Sequence, residues 1–257
     1  MRLLDVGFES VVVETPGGII FRVGRTRAAA EGHRFEWGML RKLRLPVAVP
    51  RPQWRVEPGE KEFPFGALGH QKIPGRTLVA GDRVAADLAA VLRTLHTLQP
   101  PTGALHVASW REQLRELEDL LPVLREHLGA ELDIWWQDAV SDAIMSTHPH
   151  VLIHRDLWYE NVLVDEEPPR VVGILDWSAA GVGDPAEDLA PQFYLGESFA
   201  QEVLTAYGAD DAMRHRVARR RVVREFTGIR WALEQDDEVE FTESIEKLRR
   251  ELAREAG

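Results

Sequence analysis

Along the chain the spacing of apolar positions changes character near residue 76. Before that point the runs are short and β-rich: Ser10 to Glu14 and Ile19 to Val23 flank Thr15-Pro16-Gly17-Gly18, turn chemistry that predicts a hairpin. Phe35, Met39, Leu40 and Leu43 fall on one side of a helix expected from about Ala28 to Leu43 and stopped before Pro46. Pro46, Pro50 and Pro52 mark an irregular crossing, and Gln53 to Val56 and Phe65 to Ile73 read as strands, the second ended by Pro74-Gly75. Beyond Arg76 helical spacing takes over. Val84, Leu88, Val91, Leu92, Leu95 and Leu98 open it. Further helices are expected over Trp110 to Leu128, interrupted at Pro122, and over Leu132 to Met145. Another should open on a Ser198/Gln201 capping box and end at Gly208, before two more over Ala212 to Leu233 and Glu238 to Ala253. Within this helical part, Val151 to Ile153, Val162 to Val164 and Val171 to Leu175 form a small β-element. The pattern predicts two units, residues 1–76 and 77–257.

Composition narrows the class. No apolar run approaches the ~20 residues of a membrane helix, MRLLDVGFES has no signal-peptide form, and the chain lacks cysteine. A cytoplasmic protein with no membrane partner is expected. Net charge is −11, which argues against nucleic acid. The charge is unevenly distributed: residues 1–76 hold 13 basic and 8 acidic side chains, whereas 77–257 hold 18 and 34. The basic part suits a nucleotide and the acidic part a cationic small molecule, against the plainer reading of a solvated surface.

The chemistry is concentrated in Val151 to Asp176. A strand delivers His154-Arg155-Asp156, Asn161 opens the next, and Asp176 closes a third. Phosphoryl transfer from a nucleotide needs a carboxylate to accept the proton of the attacking hydroxyl, and oxygen ligands to hold Mg²⁺ against the phosphates. Asp156 fits the first role, Asn161 and Asp176 the second, and His154 reads as a partner that braces the loop.

The string H-R-D-x4-N with a downstream I-L-D resembles the protein-kinase-like superfamily, and within it the aminoglycoside phosphotransferase family of small-molecule kinases. Trp177-Ser178 stands after Asp176 in place of Phe-Gly, Trp158 stands where many protein kinases carry lysine, and no A-P-E segment follows. Gly183-Asp184-Pro185 with Asp188-Leu189 resembles the family's G-D-P-x-x-D-L stretch. The resemblance covers Leu3 to about Leu252. It implies an α+β bilobal kinase-like fold, with a small β-rich N-lobe, a larger mainly helical C-lobe, and ATP or GTP between them.

It further implies a nucleotide-covering loop over Gly7-Phe8-Glu9-Ser10, with Gly7 and Ser10 at the phosphates. Arg22 stands in the position of the phosphate-contacting lysine, Glu36 in that of the helix glutamate paired with it, and Gln71 to Gly75 as a hinge, with Gln71 and Ile73 at the base. For Glu36 the alternative is a helix-face acid paired with Arg41 or solvent. Relatives carry one or two dozen residues before this loop, leaving a short first strand or a start upstream of Met1.

For the acceptor, the acid excess favours an aminoglycoside over a macrolide or a choline- or homoserine-like metabolite. Glu225, Glu234, Asp236, Asp237 and Glu238 fall where the family's C-terminal helices border the acceptor, and Trp231 is grouped with Glu225, Asp236 and Asp237 as a substrate candidate. Trp231, Phe226 and Phe241 keep the macrolide open. Trp110, Trp135 and Trp136 read as core. Arg214, Arg216, Arg219, Arg220, Arg221 and Arg224 read as a solvated helix face rather than a nucleic-acid site. A monomer or weak dimer is expected. A non-catalytic nucleotide-binding regulator and a protein kinase are the other classes open.

Overall fold

The computed structural model describes residues 1–6, 10–101 and 104–255. Its first unit is an antiparallel sheet. Strands β1 (Arg2–Val6), β2 (Ser10–Glu14) and β3 (Ile19–Gly24) are followed by helix α1 (Arg27–Met39), β4 (Trp54–Val56) and β5 (Ala67–Gln71), in the strand order β1-β2-β3-β5-β4. The expected hairpin is β2–β3, with Val12 opposite Arg22 and Glu14 opposite Ile20. Phe21 stands opposite Gly69, where a Cβ would lie 2.6 Å from the Phe21 ring, so glycine lets the ring lie across β5. Thr26 caps α1 by accepting from Ala29 N at 3.1 Å. The helix ends at Met39, and Leu40 and Leu43 continue its buried side as a turn.

The crossing after α1 joins the second unit: Ala48 N donates to Val172 O at 2.8 Å, and Ile174 N donates to Ala48 O at 3.0 Å. Next come β6 (Arg76–Thr77), α2 (Ala85–Thr97), α3 (Trp110–Leu117), α4 (Leu121–Leu128) and α5 (Ala130–Ser141). Then follow β7 (Val151–Ile153), β8 (Val162–Val164), β9 (Val171–Ile174) and β10 (Gly181–Gly183). The chain closes with α6 (Ala186–Leu189), α7 (Glu197–Tyr207), α8 (Asp211–Gln235) and α9 (Glu238–Glu255). Pro122 sits in the first turn of α4, where a missing N–H costs little. Strands β6, β8 and β9 form one small sheet, whereas β7 pairs with β10, a strand the sequence pattern did not announce.

Two apolar clusters hold this unit. Leu88, Leu92 and Leu95 of α2 pack with Leu152, Leu157, Ile174, Trp177 and Val203 beneath the β-element. Trp110, Leu124, Leu132, Trp135, Trp136 and Phe226 make the other, in which the Phe226 ring lies 5.9 and 5.8 Å from the rings of Trp135 and Trp136. No helix among the described residues is long and apolar enough to cross a membrane.

Two local expectations are corrected. Helix α7 starts at Glu197 behind Gly196, so Ser198 lies inside the first turn and donates to Glu202, while Gln201 donates to Glu197; no capping box forms. Gly208, at φ 83°, does end that helix. The arginine run of α8 is not a solvated face: Arg216, Arg219 and Arg220 are buried. Arg216 and Arg220 reach Asp184 at 3.2 and 3.7 Å, Arg220 reaches Glu187 at 2.9 Å, and Arg219 joins Asp138, Asp142 and Glu255. Each carboxylate comes from a segment distant in sequence, so helical spacing alone could not reveal the pairing.

Candidate active site

Strand β7 ends in a loop braced from below by Asp188, which is fully buried. Its carboxylate accepts from His154 N at 2.8 Å, Arg155 N at 2.6 Å and His96 Nε2 at 3.1 Å. Burial alone would raise its pKa, but the hydrogen bond and charge of His96, with the hydrogen bond from the His154 backbone N–H, outweigh burial and hold it below the ordinary carboxylate value. These bonds fix Arg155 at φ 72°, a left-handed turn that directs the next residue, Asp156. His154 completes the loop. Its Nδ1 accepts from Asp156 N at 3.3 Å, which assigns the proton to Nε2, and Nε2 donates to Leu175 O at 2.8 Å.

Asn161 Nδ2 donates to Asp156 O at 2.8 Å and to Asp156 Oδ2 at 3.2 Å. Because the amide nitrogen faces Asp156, the amide oxygen is left as an acceptor. Asp176, at φ 50°, follows β9; its Oδ1 accepts from Ser178 Oγ at 2.9 Å and from Arg22 Nη2 at 3.1 Å. Burial raises its pKa, but the Arg22 charge and the Ser178 bonds outweigh that and lower it, so Asp176 is an anion at neutral pH. Arg22 Nη1 also donates to both oxygens of buried Glu36, at 2.8 and 2.9 Å. Glu36 is thus paired across the lobe rather than with Arg41 or solvent.

Between the two units lies a cavity of about 560 Å³. Val12, Ile20, Arg22 and His70 face it from the sheet, as their register requires, and Asn161, Leu163, Leu175 and Asp176 face it from below. Ile73 lines it, and no hydrogen bond to the Ile73 N–H is found among the described residues. Gln71 is exposed, and its carbonyl accepts from His70 Nδ1 at 2.9 Å. Ser10 is buried at the start of β2 and its hydroxyl has no partner among the described residues. Gly7 lies outside the described residues. Lys72 of the expected hinge and Ser178 complete the surroundings with His70, His96 and Gln192, which were not singled out in the sequence. The available signal was His96, an imidazole one turn beyond Leu92 on an otherwise apolar helix face.

The acceptor candidates do not gather into one wall. Glu225 is buried, accepts from the Tyr194 hydroxyl at 3.0 Å, and is raised above its ordinary pKa mainly by burial. Asp236 is the left-handed residue that ends α8. Asp237 starts α9, its Oδ1 accepting from Val239 N at 3.1 Å and Glu240 N at 3.0 Å. Trp231 is 44% exposed.

A nucleotide-sized cleft between a β-rich lobe and a helical lobe, closed below by the Asp156–Asn161–Asp176 loop and above by the Arg22–Glu36 pair, defines a kinase-like fold. Residues 2–226 match the phosphotransferase enzyme family, and the chain belongs to that family. It is 32% identical over 225 residues to the viomycin phosphotransferase of Streptomyces vinaceus, an alignment covering 77% of this chain and 72% of the relative. To the aminoglycoside 3'-phosphotransferase of Streptomyces fradiae it is 26% identical, over 77% and 79%. Among solved structures, the GDP complex of aminoglycoside 2'-phosphotransferase-IIIa superposes with a TM-score of 0.84 at 21% identity, covering 99% of this chain and 92% of that one. A macrolide 2'-phosphotransferase type I gives 0.70 at 23%, covering 96% and 90%. These likenesses carry the fold: a bilobal kinase-like architecture.

Proposed function

We propose that this phosphotransferase moves the γ-phosphoryl group of ATP or GTP to a hydroxyl group of a small molecule, with Mg²⁺ as cofactor and an aminoglycoside as acceptor. The observation that carries the reaction is that Arg22 meets Asp176 and Asn161 across a single cleft, with Asp156 held against Asn161.

In this reading Asp156 is the base. Its carboxylate orients the acceptor hydroxyl and takes its proton as the new O–P bond forms, the bond between the γ-phosphorus and its bridging oxygen breaks, and the nucleoside diphosphate leaves. Asn161, by hydrogen bonding to Asp156 Oδ2, holds that carboxylate in one orientation. The Asn161 amide oxygen and the Asp176 carboxylate would hold Mg²⁺, which supplies charge neutralisation at the phosphates when bound. This donor set suits Mg²⁺, which takes one or two protein oxygens and fills the rest with phosphate and water. Among the described residues no cluster of three His, Asp or Glu side chains would instead form an all-protein cage. Arg22, kept in place by Glu36, is the phosphate-side cation, the Ser10 hydroxyl a further donor to phosphate, and the Ile73 N–H the contact to the base edge. Residues 1–76 act as the nucleotide lobe and 77–257 as the catalytic and acceptor lobe. Retention of base and metal ligands favours an enzyme over a non-catalytic regulator.

The aminoglycoside choice rests on the acid excess of residues 77–257 and on what the relatives are named for. Incubation with γ-labelled ATP and GTP, with Mg²⁺ and a panel of aminoglycosides, macrolides and hydroxyl metabolites, tests it. Label in an aminoglycoside supports the proposal; label in erythromycin or choline alone moves the acceptor class; label only in protein, or nowhere, overturns the reading.

A further inference from the structure

A second cavity, of about 310 Å³, lies between residues 190–195, α8 and α9, outside the nucleotide cleft. Its lining is cationic: Arg221, Arg224, Lys247, Arg250 and Arg254 face two carboxylates, Glu225 and Glu251. Those carboxylates do not satisfy five cations. Glu251 is shared between Arg221 at 2.7 Å and Arg254 at 2.6 Å, and Glu225 is already bonded by Tyr194. Lys247 has its nearest acids, Glu240 at 3.7 Å and Glu243 at 3.8 Å, along its own helix. Arg224 and Arg250 have no carboxylate in ion-pair contact among the described residues.

Arg224 carries the strongest indication. Its guanidinium lies 5.6 Å from the Tyr194 ring and acts on the Tyr194 hydroxyl and the Glu225 carboxylate, and its buried Nε has no hydrogen-bond partner among the described residues. Crowded guanidinium groups repel one another, and an anion in the cavity relieves that repulsion. Guanidinium forks match carboxylate, phosphate and sulfate oxygens in pairs, and the volume suits one such group on a small molecule. The segment that lines the cavity with Ala190, Phe193 and Tyr194 also touches the catalytic loop through Gln192, whose Nε2 donates to Leu157 O at 2.6 Å and to Asp188 O at 3.0 Å.

We propose that this cavity is an anion site, taking the carboxylate, phosphate or sulfate group of a small molecule next to the catalytic loop. The group belongs either to the acceptor itself or to a separate anionic effector.

The probe is inorganic sulfate, titrated calorimetrically at constant ionic strength into full-length protein whose nucleotide cleft is saturated with Mg²⁺ and a non-hydrolysable ATP analogue. One saturable site is expected, weakened at least tenfold in the Arg224→Gln/Arg250→Gln double variant and unchanged in Arg34→Gln, an exposed cation of α1. Arg250→Gln alone, on an exposed position of α9, should weaken binding severalfold and guards against misfolding of the double variant. No saturable sulfate binding, or equal affinity in wild type and both variants, overturns the site. In turnover assays, sulfate competing with the acceptor assigns the cavity to the acceptor's own charged group and displaces the polycation reading. Sulfate inhibition or activation that is not competitive assigns it to an effector.

Discussion

Arg22 joins Glu36 to Asp176, bonding one carboxylate from α1 and another that follows β9, 154 residues beyond Arg22 itself. The guanidinium thereby ties the small sheet, its helix and Asp176 into one unit. A lysine, with a single compact ammonium, cannot make the paired bonds to Glu36 and also reach Asp176 in this arrangement.

Arg22→Lys should therefore raise the nucleotide KM. Loss of one charge-assisted bond is worth about 1.5 kcal/mol, or roughly tenfold in affinity. Glu36→Ala should in addition lower stability by about 3 kcal/mol, because it leaves a half-buried cation short of its main partner. Nucleotide titration and denaturant unfolding measure the two effects separately. Unchanged affinity in both variants would count against Arg22 as the phosphate-side cation.

His33 predicts a pH dependence. It is buried on α1, neither ring nitrogen has a partner among the described residues, and burial, with the Arg22 charge, lowers its pKa from 6.5 to about 4. The unfolded chain therefore binds this proton at higher pH than the folded protein. Between about pH 6.5 and 4 the unfolded state holds more protons, so stability falls as pH falls, by roughly 3 kcal/mol in total for this group. Asp188, whose pKa is lowered, adds a loss at still lower pH, as the folded carboxylate takes up its proton. His33→Leu should remove the upper part of the slope and leave the protein as stable as wild type, or more so, at pH 5. A slope identical to wild type would contradict the assignment.

Asp184 predicts a purely structural loss. It is buried between Arg216 and Arg220, so Asp184→Asn leaves two buried guanidinium groups undercompensated and should cost about 3–5 kcal/mol. Thermal unfolding should show a lowered Tm. A Tm within a degree of wild type would contradict the account of α8 as an internally paired helix.

Much of this was legible in the chain because the signals were local. Thr15-Pro16-Gly17-Gly18 marks its hairpin, Pro122 its helix break, and the short spacing of Asp156, Asn161 and Asp176 carries the site within one stretch. What escaped depends on contacts between distant segments. Arg216 and Arg220 look like a surface face until Asp184, some thirty residues upstream, is folded against them. Strand β10 is three residues with two glycines and has no pattern of its own; it exists because β7 pairs with it. Asp237 carries charge suited to a polycation, yet its carboxylate caps α9 because helix N-terminal N–H groups are its nearest donors.

In the proposed reaction Asp156 acts on the acceptor hydroxyl and not on the nucleotide. Asp156→Asn preserves size and the hydrogen bond geometry of the loop while removing the base, which contributes about 10²–10⁴-fold to rate in such reactions. The direct measurement is single-turnover transfer from γ-labelled nucleotide in wild type and in this variant, paired with nucleotide affinity in Mg²⁺. The account predicts a rate at least a hundredfold lower with affinity within about twofold of wild type. Transfer at the wild-type rate would contradict it.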